Sequence, residues 1–159
     1  MKVKQIALIS IFIAGVALLT MGSSINIFQG YLNFGDVLVM GMGFVLGLPY
    51  ALLGGVGAAL ADLLLGYGQY AIFTLIIKGL EAGIIAYFAI KKGKAHLWVY
   101  LLAGTWMAVG YGLTDVILTG EMTIFVASFS YNIFQGLVCG GLAFALQPIL
   151  IRLKKIYSV

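Results

Sequence analysis

The sequence predicts an all-α integral membrane protein: six transmembrane helices in a compact bundle, both termini cytoplasmic, with a ligand pocket open to the outside. Three observations carry that prediction. Of 159 residues, 63% are hydrophobic and only 9% charged, against about 25% charged in a soluble domain. Long apolar runs follow one another with short connections, so one domain covers residues 1–159. The basic residues form clusters beside those runs, at Lys2/Lys4, at Lys91-Lys92-Gly93-Lys94 and at Arg152/Lys154/Lys155. A net charge of +4 placed this way reads as membrane topology rather than as a nucleic-acid surface.

Each span needs about 20 residues, and the elements follow in order. Helix 1 is expected at about Gln5–Gly22. Lys2 and Lys4 ahead of it imitate a secretory signal, but only further apolar runs follow, which favours a retained first helix. Ala7, Ser10, Ala14 and Ala17 make one stripe of small residues on it, suited either to packing within the chain or to docking another subunit. Residues 36–66 form a nearly continuous apolar run, too long for one span and short for two. Gly47-Leu48-Pro49-Tyr50 is its best break, because proline disfavours helix at the preceding residue. Helix 2 is then about Asp36–Leu48 and helix 3 about Tyr50–Gly66. Charge supports the division: with two helices there, all three basic clusters fall on the cytoplasmic side. Helix 4 is expected at about Tyr70–Ile90, helix 5 at about Leu97–Leu118 and helix 6 at about Met122–Leu153.

Small-xxx-small spacings at Gly54/Ala58, Ala51/Gly55/Ala59, Gly79/Gly83 and Gly136/Gly140 are expected to serve packing between these helices. Asn26-Ile-Phe-Gln-Gly30 recurs as Asn132-Ile-Phe-Gln-Gly136, but the flanks do not match and the repeat reads as coincidence. The single Cys139 cannot form an internal disulfide.

Lys78 and Glu81 are the only charges between Thr74 and Ile90. A charge at the centre of a membrane helix costs roughly 2.5–3.5 kcal/mol even on lenient insertion scales, so it faces protein or a wet cavity. Their spacing also permits an intrahelical ion pair. The topology sets Asp36, Asp62, Asp115 and Glu121 near the outer ends of their helices. Asn33, Tyr67, Gln69, Tyr70, Thr74, Tyr111, Thr114, Ser128, Ser130, Tyr131, Asn132 and Gln135 crowd the same half. An outward wet pocket explains this crowding economically, since isolated polar groups in lipid are expensive. The candidate binding residues are Lys78, Glu81, Asn132 and Asp115, then Tyr111, Tyr131, Trp106 and Gln135. Tyr111 and Asp115 share a helix face, as do Asn132 and Gln135. Trp106 suits ligand stacking or packing equally, Asp36 suits an N-cap of helix 2, and Asp62 suits ordering of the outer loops.

Several chemistries lack their residues. No G-x-x-x-x-G-K-[ST] occurs, so ATP binding by a P-loop is excluded. His96 is the only histidine and belongs to the cytoplasmic end, away from Ser128 and Ser130, which disfavours a Ser-His protease. The aspartates show no paired spacing for a metal. The expectation is a non-enzyme with no catalytic residue, metal or cofactor. A self-sufficient small carrier or exporter remains open, motivated by the membrane-embedded Glu81.

Several motifs in order carry a resemblance across essentially the whole chain. Asn33-Phe-Gly-Asp36 opens helix 2, Ala61-Asp62-Leu-Leu-Leu-Gly66-Tyr67 closes helix 3, Phe73-Thr74-Leu-Ile-Ile-Lys78-Gly79-Leu lies in helix 4 and Tyr131-Asn132 in helix 6. Together they resemble the substrate-binding S components of energy-coupling factor (ECF) vitamin transporters. The resemblance implies high-affinity capture of a vitamin or precursor from outside, beneath the loop between helices 1 and 2, in a prokaryotic plasma membrane. It implies a membrane scaffold partner and two cytoplasmic ATPase subunits that hydrolyse the ATP. It also implies that the Ala7, Ser10, Ala14 and Ala17 face contacts the scaffold. Mixed charge with several tyrosines and one deep tryptophan suits a small, flat, hydrogen-bonding ring better than a large flavin or folate. Pyridoxine is the first expectation, then hydroxymethylpyrimidine or thiamine.

Overall fold

Apolar runs become helices where length and punctuation allow. The computed structural model describes residues 3–27, 30–90 and 93–157. Lys2, Lys91 and Lys92 of the basic clusters, and Phe28 and Gln29 of the repeated pentapeptide, lie outside the described residues. Among the described residues, α1 (Val3–Gly22), α4 (Ala71–Ile90), α5 (Leu97–Thr119) and α6 (Ile124–Ala145) are the helices long and apolar enough to cross a membrane. Between α1 and α2 (Gly35–Leu46) a short antiparallel ladder pairs β1 (Ile25–Asn26) with β2 (Tyr31–Leu32). A 3₁₀ turn (Tyr50–Leu53) leads directly into α3 (Gly54–Leu65), and α7 (Gln147–Tyr157) follows α6.

The 36–66 run does hold two helices, broken at Gly47, whose φ of 66° takes glycine without strain. α2 keeps its expected bounds within two residues, while α3 begins at Gly54 because the first turn of the expected helix is 3₁₀. α2 has 12 residues and rises about 18 Å, well short of a roughly 30 Å hydrocarbon core. Its burial shows why it is short: every residue except Leu38 is buried, and it touches every other helix. An apolar helix of this length suits a protein-wrapped core position. Met40, Met42, Phe44 and Val45 of α2 meet Leu8 and Phe12 of α1, Ile85 of α4 and Tyr100 of α5 in the main core.

Helix 6 needs a correction. The single helix expected from Met122 to Leu153 is interrupted at Leu146, between α6 and α7. Pro148 has no N–H to donate to the carbonyl of Phe144, and its ring crowds that carbonyl, so the α6 ladder stops there. The side chain of Gln147 then clamps the preceding loop, accepting from the Ala95 N–H at 2.6 Å and donating to the Ala95 carbonyl at 3.0 Å. Lys154 donates to the carbonyl of Phe44, which seats α7 under the end of α2.

Glycines set the helix spacing, as their pattern led us to expect. A Cβ placed on Gly104 of α5 would stand 2.5 Å from the Gly136 carbonyl oxygen of α6, and one on Gly136 would stand 2.6 Å from that of Gly104. Gly79 and Gly55 make similar approaches to the backbones of Leu52 and Leu75. The pentapeptide beginning at Asn132 is helical, whereas Asn26 lies in β1, which agrees with coincidence.

Candidate functional site

The ends of the elements decide where polar chemistry gathers. One end of the bundle collects the C-termini of α1, α3 and α5, the N-termini of α2, α4 and α6, and the β1–β2 ladder. Lys4, Lys94, His96 and α7 sit at the other end. At the first end a cavity of about 710 Å³, its mouth included, opens between these helices.

Lys78 of α4 forms its floor. Its ammonium contacts Asp36 Oδ1 directly and stands 3.6 Å from Glu81 Oε2, with all three residues at most 2% exposed. Gln135 of α6 donates to Asp36 Oδ2 at 2.7 Å, so α2, α4 and α6 are joined at one point. Gln135 Oε1 in turn accepts from the Asn33 N–H at 2.7 Å, which fixes the chain entering α2. Asp36 therefore does not cap α2; Asn33 Oδ1 accepts the Gly35 N–H at 2.8 Å instead. Burial makes an ion partner worth more to Asp36 than exposed backbone donors would be, because an unpaired buried charge is very costly.

The walls are tyrosine. Tyr111 of α5 sets its ring 5.3 Å from the Lys78 ammonium, within cation–π range, and its hydroxyl pairs with Thr74 at 3.0 Å. Tyr70 donates to Asp115 Oδ1 at 2.6 Å. Tyr31 of β2 donates to Asp62 Oδ1 at 2.5 Å and packs its ring 5.0 Å from Tyr67. Burial, and then the neighbouring Asp62 charge, push the Tyr31 hydroxyl far above its ordinary pKa, so it remains a donor throughout the usual pH range. Asn132 turns its amide back on α6, donating to the Ser128 carbonyl at 2.9 Å, with its side chain on the cavity wall.

Of the candidate residues, Lys78, Asp115, Tyr111, Tyr131, Asn132 and Gln135 are brought together around this cavity. Glu81 and Trp106 do not line it. Glu81 is fully buried beneath Lys78, and neither of its carboxylate oxygens accepts a hydrogen bond. Trp106 donates to the Ile77 carbonyl at 3.1 Å and faces a lateral apolar groove with Leu48, Leu52, Leu80 and Phe88. Packing between helices thus describes Trp106 better than stacking on a ligand in the cavity. Sequence reasoning underrated three groups: Asp36, Asp62 and Tyr31. Asp36 and Asp62 sat in view as helix-end acids, but their partners are 42 and 31 residues distant and no local pattern links them.

Ala7, Ser10 and Ala14 are exposed and Ala17 partly so, while Leu8, Ile9, Phe12 and Val16 on the other side of α1 turn inward. Most of the stripe is therefore left outside this chain's own packing. Among the described residues no His/Cys/Asp/Glu group is arranged to hold a metal.

Comparison with known proteins adds two findings. The family model described as "ECF-type riboflavin transporter, S component" matches residues 1–154. An "Uncharacterized protein in gap 3'region" from Pyrococcus woesei is 40% identical over 121 residues, covering 71% of this chain and 79% of that protein.

Proposed function

We propose that this chain, which belongs to the ECF-type riboflavin transporter S-component family, captures a small aromatic vitamin or vitamin precursor in the tyrosine-walled cavity above Lys78. Membership makes it a substrate-binding subunit of an importer. The finer reading is a compact heterocycle, pyridoxine first, with hydroxymethylpyrimidine or thiamine next. One observation carries it: a cavity whose floor is Lys78, held from behind by Asp36, and whose walls offer tyrosine faces beside carboxylate, amide and hydroxyl groups. Flat rings stack on such faces, and ring nitrogens and hydroxyls find donors and acceptors at the floor. Lys78 would meet a ring hydroxyl or oxygen, Asp115 and Asn132 an amine or hydroxyl, and Tyr111 and Tyr131 the ring face. Glu81 would act from behind, through Lys78.

The cavity lies at the end opposite Lys94 and the basic α7, and the positive-inside rule then turns it outward in a prokaryotic plasma membrane. Release inward would fall to a membrane scaffold and two ATPases, docked on the exposed face carrying Ala7, Ser10, Ala14 and Ala17. This chain itself would perform no catalysis and hold no cofactor. Titration of the purified protein with pyridoxine, hydroxymethylpyrimidine, thiamine and riboflavin tests the ligand. Tight binding of pyridoxine is expected; riboflavin tight with pyridoxine silent would return the ligand to the flavin of the family's description. ATP-independent uptake into liposomes by this chain alone would overturn the importer-subunit reading in favour of a self-sufficient carrier.

A further inference from the structure

Unequal helix lengths leave a groove on the side of the bundle. α4 has 20 residues and rises about 30 Å, enough to cross the hydrocarbon. The turn ahead of α3 lies against it at Gly79 and Gly83. A Cβ on Gly79 would stand 2.8 Å from the Leu52 carbonyl oxygen, and one on Gly83 would stand 3.2 Å from Leu52 Cδ2. Gly83 is about 10 Å short of the end of α4 at Ile90. α3 therefore starts at hydrocarbon depth, and α4 runs on past it toward the basic end with that side uncovered. The lateral groove occupies this place. Leu48, Leu52 and Gly83 form its bed, Trp106 stands at the end nearer the cavity, and Tyr87 and Phe88 stand at its foot. The indole N–H of Trp106 donates to the Ile77 carbonyl at 3.1 Å, so the ring is fixed in position. Every side chain lining the groove is aliphatic or aromatic. At the foot, Trp98 packs edge-on to Phe88 with centroids 5.1 Å apart, which joins the groove to the chain entering α5. Lys94, four residues before Trp98, is exposed at that end.

We propose that this groove holds one hydrocarbon chain of an anionic membrane lipid, whose headgroup rests beside Lys94. Lipid chains are as apolar as leucine, so escape from water cannot draw one in. Close van der Waals contact in a concave bed and the charge of the headgroup supply the preference. A polar vitamin gains nothing from such a lining. The cation at the foot favours a lipid over an apolar helix of another subunit, which brings no anion to meet it. The bound chain takes the place that a longer α3 would fill, bracing the Leu48–Pro49 turn against α4. This site is independent of the cavity above Lys78 and of whatever the cavity binds.

Trp106 and Trp98 are the two tryptophans of the chain, so the groove carries its own probe. Full-length protein with Trp98→Phe is reconstituted in phosphatidylcholine bilayers, and Trp106 fluorescence is followed as chain-brominated phosphatidylglycerol or chain-brominated phosphatidylcholine replaces part of the lipid. Bromine quenches only on contact, so competition between the two lipids gives their relative affinity for the groove. Phosphatidylglycerol should be preferred about fivefold, the advantage that one lysine beside an anionic headgroup confers. Lys94→Gln in the same background should bring the two lipids close to parity. Gly83→Leu, which fills the bed, should reduce quenching by both. Equal quenching by the two lipids before any further change means ordinary contact with bulk lipid and overturns the proposal. Quenching by neither means that the groove is closed to chains or holds a protein segment, and overturns it as well. A preference undiminished by Lys94→Gln, with the variant folded by gel filtration, places the headgroup elsewhere and also overturns it. These outcomes stand even if Gly83→Leu does not fold.

Discussion

Lys78 has two carboxylates within 4 Å, and they are not equivalent. Asp36 contacts it directly and is also held by Gln135, whereas Glu81 stands at 3.6 Å and accepts no hydrogen bond. Removing the cation strands Asp36 in a place only 1% exposed. Lys78→Met should therefore cost about 3–5 kcal/mol of stability, the usual penalty for an uncompensated buried charge. The double change Lys78→Met with Asp36→Leu should recover much of that loss, since an apolar pair of similar volume avoids the desolvation altogether. Thermal unfolding in detergent checks both, and a double variant no better than the single would refute the pairing as the source of the cost. Glu81→Gln keeps the shape and discards a charge that no donor satisfies, so its effect should be well below that of Lys78→Met in the same assay. The anomalous charge in an apolar helix is legible in the amino-acid sequence, because hydrocarbon makes it expensive. Its main partner is not, because Asp36 is 42 residues away on another helix.

At the scale of elements, the α5–α6 contact turns on two glycines. Gly104 and Gly136 bring carbonyl and Cα so near that neither can carry a Cβ without moving a backbone. Gly136→Ala should destabilise by about 1–3 kcal/mol through overpacking. Gly141→Ala, five residues on with nothing within 4 Å of its added Cβ, should be neutral or stabilising by up to about 1 kcal/mol through helix propensity. Melting temperatures of the two variants side by side give the comparison, and equal losses would refute the close approach. The small-xxx-small spacing of Gly136 and Gly140 announced such a contact, and the lone Gly104 did not, since a contact needs both helices in register. Helix lengths show the same limit. α1, α4 and α5 follow their apolar runs within a few residues, because a 20-residue apolar segment has few alternatives to a helix. α2 also follows its expected Asp36–Leu48 bounds within two residues; what composition does not show is that its surroundings are protein rather than lipid, because both are apolar solvents.

For the whole molecule, cavity and exposed stripe lie on separate surfaces, so binding and docking should be separable. Ala14→Trp places a bulky ring on the exposed side of α1, away from the residues that line the cavity. Ligand affinity of the isolated protein should be unchanged, while uptake by cells supplying scaffold and ATPases should fall severalfold or more. Undiminished uptake with the variant inserted in the membrane would argue against docking on this face. Lys78→Ala should show the opposite pattern in part, losing ligand affinity in the isolated protein as well as uptake.

Composition, hydropathy and the three basic clusters by themselves determined that this chain is a helical membrane protein and which end carries the polar side chains. Those properties follow from one-dimensional rules: apolar length for spanning, and basic residues beside spans for topology. Ordered motifs in the same sequence also led to the S-component family, which the match over residues 1–154 establishes. Only the tertiary structure decided that Lys78 answers to Asp36, that Asp62 and Tyr31 join the site, that Trp106 leaves it, and that α2 is wrapped by every other helix. Each of those outcomes depends on which helix faces meet, and such contacts between distant residues leave no periodic trace along a single chain.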